Sequence, residues 1–144
     1  MTKTILLDAN LLISAFDTKE KVAVEAMRKL LKDDSISLAI TPLIRYEVLR
    51  SVEFTDDVPH EKLKERLNGF EEFDITRDIS ELSTALFRYA KSEGKVNPEN
   101  VNKRSFDIFH WATAKCNELE IESNDGDIDR LETLYDEYTK RHGS

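Results

Sequence analysis

Thr4-Ile5-Leu6-Leu7-Asp8-Ala9-Asn10 is the stretch on which the reading of this chain turns. Residues 4–7 are short, mostly apolar and end abruptly at a carboxylate, the pattern of a strand buried on both faces. Such a strand needs covering layers, and parallel sheets obtain them from crossover helices. Working outward, residues 19–32 predict a helix. Val22, Ala26 and Leu30, with Ala23, Met27 and Leu31 beside them, form an apolar stripe at spacings of four. Residues 35–40 read as a second strand. Thr41-Pro42 then sets a capping residue before a proline suited to the first helical position. The helix it opens carries Ile44, Val48 and Val52 on one face, with Glu47 beside them.

A polar break at 55–58 precedes a short helix over 60–68 that Gly69 ends, and a brief strand is expected around 73–75. Ile79, Leu82, Leu86 and Tyr89 mark a helix over 78–93, stopped by Gly94. After a polar loop over 95–104, Ser105 is expected to cap a helix with Asp107 in its first turn, where the helix dipole favours negative charge. A short strand at 121–123, a turn at 124–127 and a helix over 128–141, with Ile128, Leu131, Tyr135 and Tyr138 inward, complete the chain. Strands alternating with helices predict βαβ units in a single α/β domain over residues 1–144.

The bulk composition narrows the class. The 144 residues are 40% hydrophobic and 35% charged, with four glycines, so long disordered linkers are not expected. No apolar run approaches the roughly 18 residues that span a bilayer, and residues 5–7 are too short for a secretory signal. Cys116 is the only cysteine, so no internal disulfide forms, and the expected compartment is the cytoplasm. Cys116 and Trp111, on one apolar helix, read as core, and His110 as structural. A net charge of −8 argues against nonspecific phosphate-backbone binding, unless cations neutralise gathered acids or a local basic strip holds the strand.

Ligands of parallel sheets sit at the carboxyl ends of the strands. Asp8 follows the first strand and Asp125 the last, which assigns both to one rim, and Glu47 and Asp107 are placed to reach it. Converging carboxylates repel unless something positive lies among them. All-oxygen donors suit Mg²⁺ or Mn²⁺ rather than zinc, for which Cys116, His60, His110 and His142 have no suitable spacing. Ions held this way serve phosphodiester hydrolysis.

Four segments carry a family resemblance. Leu6-Leu7-Asp8-Ala9-Asn10 resembles the opening motif of PIN-domain proteins, and the segment from Thr41 to Arg50, around Glu47, resembles the second. Phe106-Asp107-Ile108-Phe109-His110-Trp111-Ala112-Thr113-Ala114 is similar to the third, and Ser123-Asn124-Asp125-Gly126-Asp127 to the fourth. Their order, and a length like that of stand-alone VapC-type toxins, imply a three-layer α/β/α fold with a central, mostly parallel sheet of four to five strands. They imply a Mg²⁺- or Mn²⁺-dependent endoribonuclease acting on transfer or ribosomal RNA, a small VapB-like antitoxin partner and a tendency to dimerise. Asp8, Glu47, Asp107 and Asp125 would be the catalytic metal ligands, Asp127 a fifth acid, and Asn10 and Ser123 polar supports of the site. Two departures stand out: Ile128 replaces the usual aromatic residue after the fourth motif, and residues 128–141 read as helix where many relatives have another strand.

For RNA, the segment around residues 95–104 is the best basic strip, with Lys103 and Arg104 closest to Asp107 in sequence. Arg45, near Glu47, is suited either to phosphate or to an ion pair with neighbouring acids. Competing readings are a PIN-fold nuclease of RNA processing or repair without an antitoxin, and a non-catalytic binding module of the same fold. A receiver domain or a haloacid-dehalogenase-like phosphatase would want a second acid near Asp8, where Ala9-Asn10 supplies none.

Overall fold

Strand β1 (Lys3–Leu7) lies inside a four-stranded sheet, between β2 (Ile36–Ile40) and β4 (Glu120–Glu122), with β3 (Glu71–Glu72) beyond β2. This is the arrangement in a computed structural model that describes residues 3–123 and 126–142. All pairings are parallel: Leu6 lies beside Ala39 on one side and Ile121 on the other, and Ile40 lies beside Glu72. Ile5, Leu6 and Leu7 are all buried. Successive strand side chains point to opposite faces, so both faces of β1 are covered, as its apolar run requires. The α/β class with a central parallel sheet is therefore present, with four strands. Both edge strands are short, and Glu71, Glu72, Glu120 and Glu122 make them acidic, which discourages addition of another chain's strand.

Packing divides the chain into two compact units, Met1–Asp74 with Leu119–Asn124, and Ile75–Glu118 with Asp125–Ser144. The first holds the sheet with α1 (Ala9–Leu12), α2 (Lys21–Lys32), α3 (Pro42–Leu49) and α4 (Asp57–Asn68). Helix α1 and the π-helical turn Ile13–Asp17 that continues it have no counterpart in the expected elements. This turn, closed by Thr18 N donating to Ile13 O at 3.0 Å, also delays the next helix. Lys19 adopts a left-handed φ of 55°, so α2 starts at Lys21 rather than at 19.

The expected α2 stripe is narrower than its apolar residues suggest. Ala23 and Met27 are buried, whereas Val22 is 80% and Leu31 57% exposed. Thr41 caps α3 as expected, its Oγ1 accepting from Ile44 N at 3.1 Å. That helix ends at Leu49, where Ser51 Oγ donates to Val48 O, so Val52 lies outside it. Strand β3 falls at 71–72 rather than 73–75; Phe73 contributes only one further bond, from its N–H to Ile40 O at 2.9 Å.

The second unit packs α5 (Arg77–Ser92), α6 (Val101–Cys116) and α7 (Asp127–His142). Thr76 caps α5, and Gly94 follows its end at φ 72°, a conformation that favours glycine. Helix α6 starts at Val101, four residues before the expected cap. The Asn97 side chain accepts from Glu99 N and Asn100 N, and Asn100 Oδ1 accepts from Asn97 N, winding residues 97–100 into the turn that launches the helix. Ser105 Oγ only donates back to Val101 O. Cys116 is exposed at the end of α6 rather than core. Trp111 is core, as expected. Among the described residues no strand follows Asp127, and no helix is long and apolar enough to cross a membrane.

Trp111 joins α6 to α7. Its ring centroid lies 4.9 Å from that of Tyr135, its Nε1 donates to Glu132 Oε2 at 2.6 Å, and Lys115 Nζ reaches Glu132 Oε1 at 2.9 Å. Burial opposes ionisation of Glu132, but the hydrogen bonds from Lys115 and Trp111 outweigh it and hold the carboxyl below its ordinary value. Glu132 correspondingly raises Lys115, first through that hydrogen bond. A depressed acid favours the fold above its unfolded pKa and loses this contribution as pH falls through the folded value. A raised base does so below its unfolded pKa and loses it as pH rises through the folded value. The pair therefore stabilises fully between the ordinary glutamate value of 4.5 and the ordinary lysine value of 10.5. Trp111, the sole tryptophan, reports it. Its fluorescence is expected to titrate with a midpoint below 4.5, and Glu132→Gln should abolish that transition; a midpoint at or above the ordinary value would contradict the account.

Candidate active site

In the first unit, β1 delivers Asp8 to the carboxyl end of the sheet. Its N–H donates to Glu122 O at 3.0 Å, continuing the ladder with β4 one step past the last strand residue. Asp8 occupies the N-cap position of α1, yet its side chain makes no capping bond. Instead the carboxylate, only 2% exposed, accepts through Oδ2 from Ser123 Oγ at 3.0 Å. Two adjacent parallel strands thus end in an acid and the hydroxyl that orients it. A carboxylate this deeply buried carries a desolvation cost.

Glu47 is half-buried on α3, which follows β2, the other neighbour of β1, and Asn10 is half-buried in α1. Arg45 pairs with an acid of the same unit. Its Nε pairs with Glu72 Oε1 at 2.9 Å, and another guanidinium nitrogen donates to Asn68 Oδ1 at 2.9 Å.

In the second unit, Asp107 is 5% exposed and lies in the middle of α6, not in its first turn. The dipole argument therefore falls away, because the favourable end charge is confined to a helix's first turn. Its countercharge is Lys103, one turn earlier, whose Nζ sits 3.1 Å from Asp107 Oδ2 and 2.5 Å from Asp127 Oδ2. Arg130 pairs with Asp127 Oδ1 at 2.9 Å. The hydrogen bond from Lys103 leads the causes that hold the Asp127 carboxyl below the usual range, joined by the charges of Lys103, Arg104 and Arg130 against the opposing effect of burial. An ammonium thus occupies the position between two acids that a cation would be drawn to. The Lys103–Asp107 spacing of four carried this signal in the sequence; the reach to Asp127 on α7 did not show there.

Asp125 lies outside the described residues, as does Asn124. Among the described residues no three of His, Cys, Asp and Glu form a group able to hold a metal ion. The donor chemistry itself fits a hard dication. The first unit offers the buried Asp8 and half-buried Glu47, the second the buried Asp107, and carboxylate oxygens of this kind suit hard dications. His110, buried on α6, and the exposed Cys116 add no softer set.

A family model described as "PIN domain" matches residues 5–134. Among solved structures, the chain resembles VapBC2 from Rickettsia felis, bound to a promoter DNA fragment, with TM-score 0.68 and 15% identity over 88% of this chain and 91% of that one. It also resembles a toxin–antitoxin complex from Klebsiella pneumoniae (TM-score 0.62, 24% identity, 85% and 87% covered). A third likeness is to FitAcB from Neisseria gonorrhoeae (0.65, 19%, 89% and 93%). A search of curated proteins found no match.

Proposed function

Since the chain belongs to the PIN domain family, we propose that it is a metal-dependent endoribonuclease, the toxin of a VapBC-type pair that hydrolyses structured RNA in the cytoplasm. The observation that carries this reading is Asp8: a buried carboxylate at the carboxyl end of the central strand, withheld from helix capping and oriented by Ser123. Toxin–antitoxin complexes among the similar folds support a small VapB-like antitoxin as partner, and the proposed assembly includes a second copy of the chain.

Asp8, Glu47, Asp107 and Asp125 would hold Mg²⁺ or Mn²⁺, with Asp127 as a fifth acid. Bound there, the ion supplies Lewis acidity and positive charge that offsets the charge developing on a scissile phosphodiester. Around it the chain's own groups set the geometry. Ser123 fixes the rotation of the Asp8 carboxylate, α6 presents Asp107 from a rigid helix, and Asn10 lends polar support. Lys103 pairs with both Asp107 and Asp127, and its flexible stem would let the ammonium reach a phosphate oxygen of the bound strand.

The test is cleavage of transfer RNA and ribosomal RNA by the purified protein with Mg²⁺, with Mn²⁺ and with chelator. Cutting is expected only with metal and is expected to be lost in Asp107→Asn. Mn²⁺ binding by calorimetry with no cleavage of any RNA would instead identify a binding module. Wild-type cutting by Asp107→Asn would refute the ligand assignment.

A further inference from the structure

A basic cavity of about 280 Å³ opens in the second unit, lined from three directions by cations. Lys95 comes from the segment after α5, Arg104 from α6 and Arg130 from α7, above an apolar floor that includes Ile108 and Leu131. Among the described residues Glu137 is the one acid in its lining. In a chain of net charge −8, three cations around one cavity are a local reversal of sign. Ile108 and Leu131 are 1% and 2% exposed, so the floor is part of the packed interior and is preformed. Lys95 is anchored through its backbone: its N–H donates to Ala90 O at 2.9 Å, and its carbonyl accepts from Asn100 Nδ2 at 3.3 Å. Arg130 also reaches Asp127 at 2.9 Å, which ties the cavity to the Lys103–Asp107–Asp127 cluster.

We propose that this cavity is a nucleotide subsite that holds one residue of the RNA strand beside the phosphodiester that is cut. The inference rests on the ribonuclease reading for the identity of the strand and on the cavity for everything else. Guanidinium groups match phosphate oxygens in a fork and stack on planar bases, so Arg104 and Arg130 suit both parts of a nucleotide. Glu137 is an acceptor for an exocyclic amino group or a 2′-hydroxyl. The volume lies at the lower end of small-ligand sites and matches a single nucleotide better than a folded partner. An acidic peptide would share the attraction to the cations, but it has no base on which the guanidinium groups could stack.

The experiment reads binding apart from cleavage. Fluorescence anisotropy with a 2′-O-methylated RNA octamer, in chelator, gives Kd for wild type, Lys95→Gln, Arg104→Gln and the double variant, with Lys32→Gln on α2 as control. Each cavity substitution is expected to weaken binding roughly tenfold, as for a charged hydrogen bond, and to lower the salt slope by about one for each phosphate left without its cation. Arg104→Lys should recover part of the affinity, and unfolding midpoints report that each variant is folded. An unchanged Kd in the folded double variant overturns the subsite, as does a loss confined to a poly-glutamate peptide with RNA binding intact. Calorimetry with adenosine 5′-monophosphate separates the two ideas. If wild type cuts no RNA yet binds the mononucleotide, and the double variant does not, the ribonuclease reading fails while the cavity stands as a nucleotide-binding site.

Discussion

Asp8→Asn is expected to lower RNA cleavage by more than about a hundredfold without unfolding the protein. Outer partners of metal-binding side chains commonly cost 10–100-fold when removed, and Asp8 is proposed to act directly. The substitution is close to isosteric, and an asparagine Oδ1 still accepts from Ser123 Oγ, which now bonds Asp8 Oδ2 at 3.0 Å. What disappears is a negative charge in a position only 2% exposed. Removing a buried charge relieves a desolvation cost, so the unfolding midpoint in metal-free buffer should be unchanged or higher. That opposition, activity down and stability level or up, separates a functional acid from a structural one. If Asp8→Asn both cleaved normally and lost stability, Asp8 would be a structural anchor and the ribonuclease proposal would lose its main support.

Leu6→Ala is expected to have the largest effect on stability. Leu6 is fully buried on the central strand, flanked in register by Ala39 and Ile121. Truncating such a side chain removes its transfer free energy and leaves a cavity, together costing about 2–5 kcal/mol. Against a typical total of roughly 5–15 kcal/mol this is a large fraction. Urea denaturation should show a lower midpoint with an unchanged slope. Leu31→Ala is the companion measurement: Leu31 is 57% exposed, so its truncation should cost within about 0.5 kcal/mol. Comparable losses at both positions would mean that the burial difference between β1 and the outer face of α2 is wrong.

The contrast between these two leucines shows what was legible. The β1 run could be read because three consecutive apolar residues closed by a carboxylate admit few other structures. The Thr41-Pro42 start could be read because cap and proline act locally. The stripe on α2 misled because periodicity gives the direction of a face but not its width, and only tertiary packing decides that Ala23 and Met27 are covered while Val22 is not. The start of α6 was missed because Ser105 is a plausible cap, whereas the real turn depends on Asn97 and Asn100 bonding one another's backbone. The placement of Asp8 at the carboxyl end of the sheet followed from its strand, whereas Ser123 entered only through the family resemblance, and its bond to Asp8 emerged from the structure. The salt-bridge cluster of Lys103 was half visible, since its second acid lies 24 positions away on another helix.

The distance along the chain between Asp8 and Ser123 has a consequence in time. Their hydrogen bond spans 115 positions, as does the register that sets Leu7 beside Glu122. At ribosomal speeds of about 5–20 residues per second, β1 waits on the order of ten seconds for β4 to be made. Throughout that interval one long edge of the nascent sheet is open, and the acid lacks its orienting hydroxyl. Contacts of such sequence separation form slowly even in the finished chain, because the intervening loop must first be closed. Fragments released before residue 123 would lack the hydroxyl that orients Asp8, and under the proposed function they are expected not to cleave RNA.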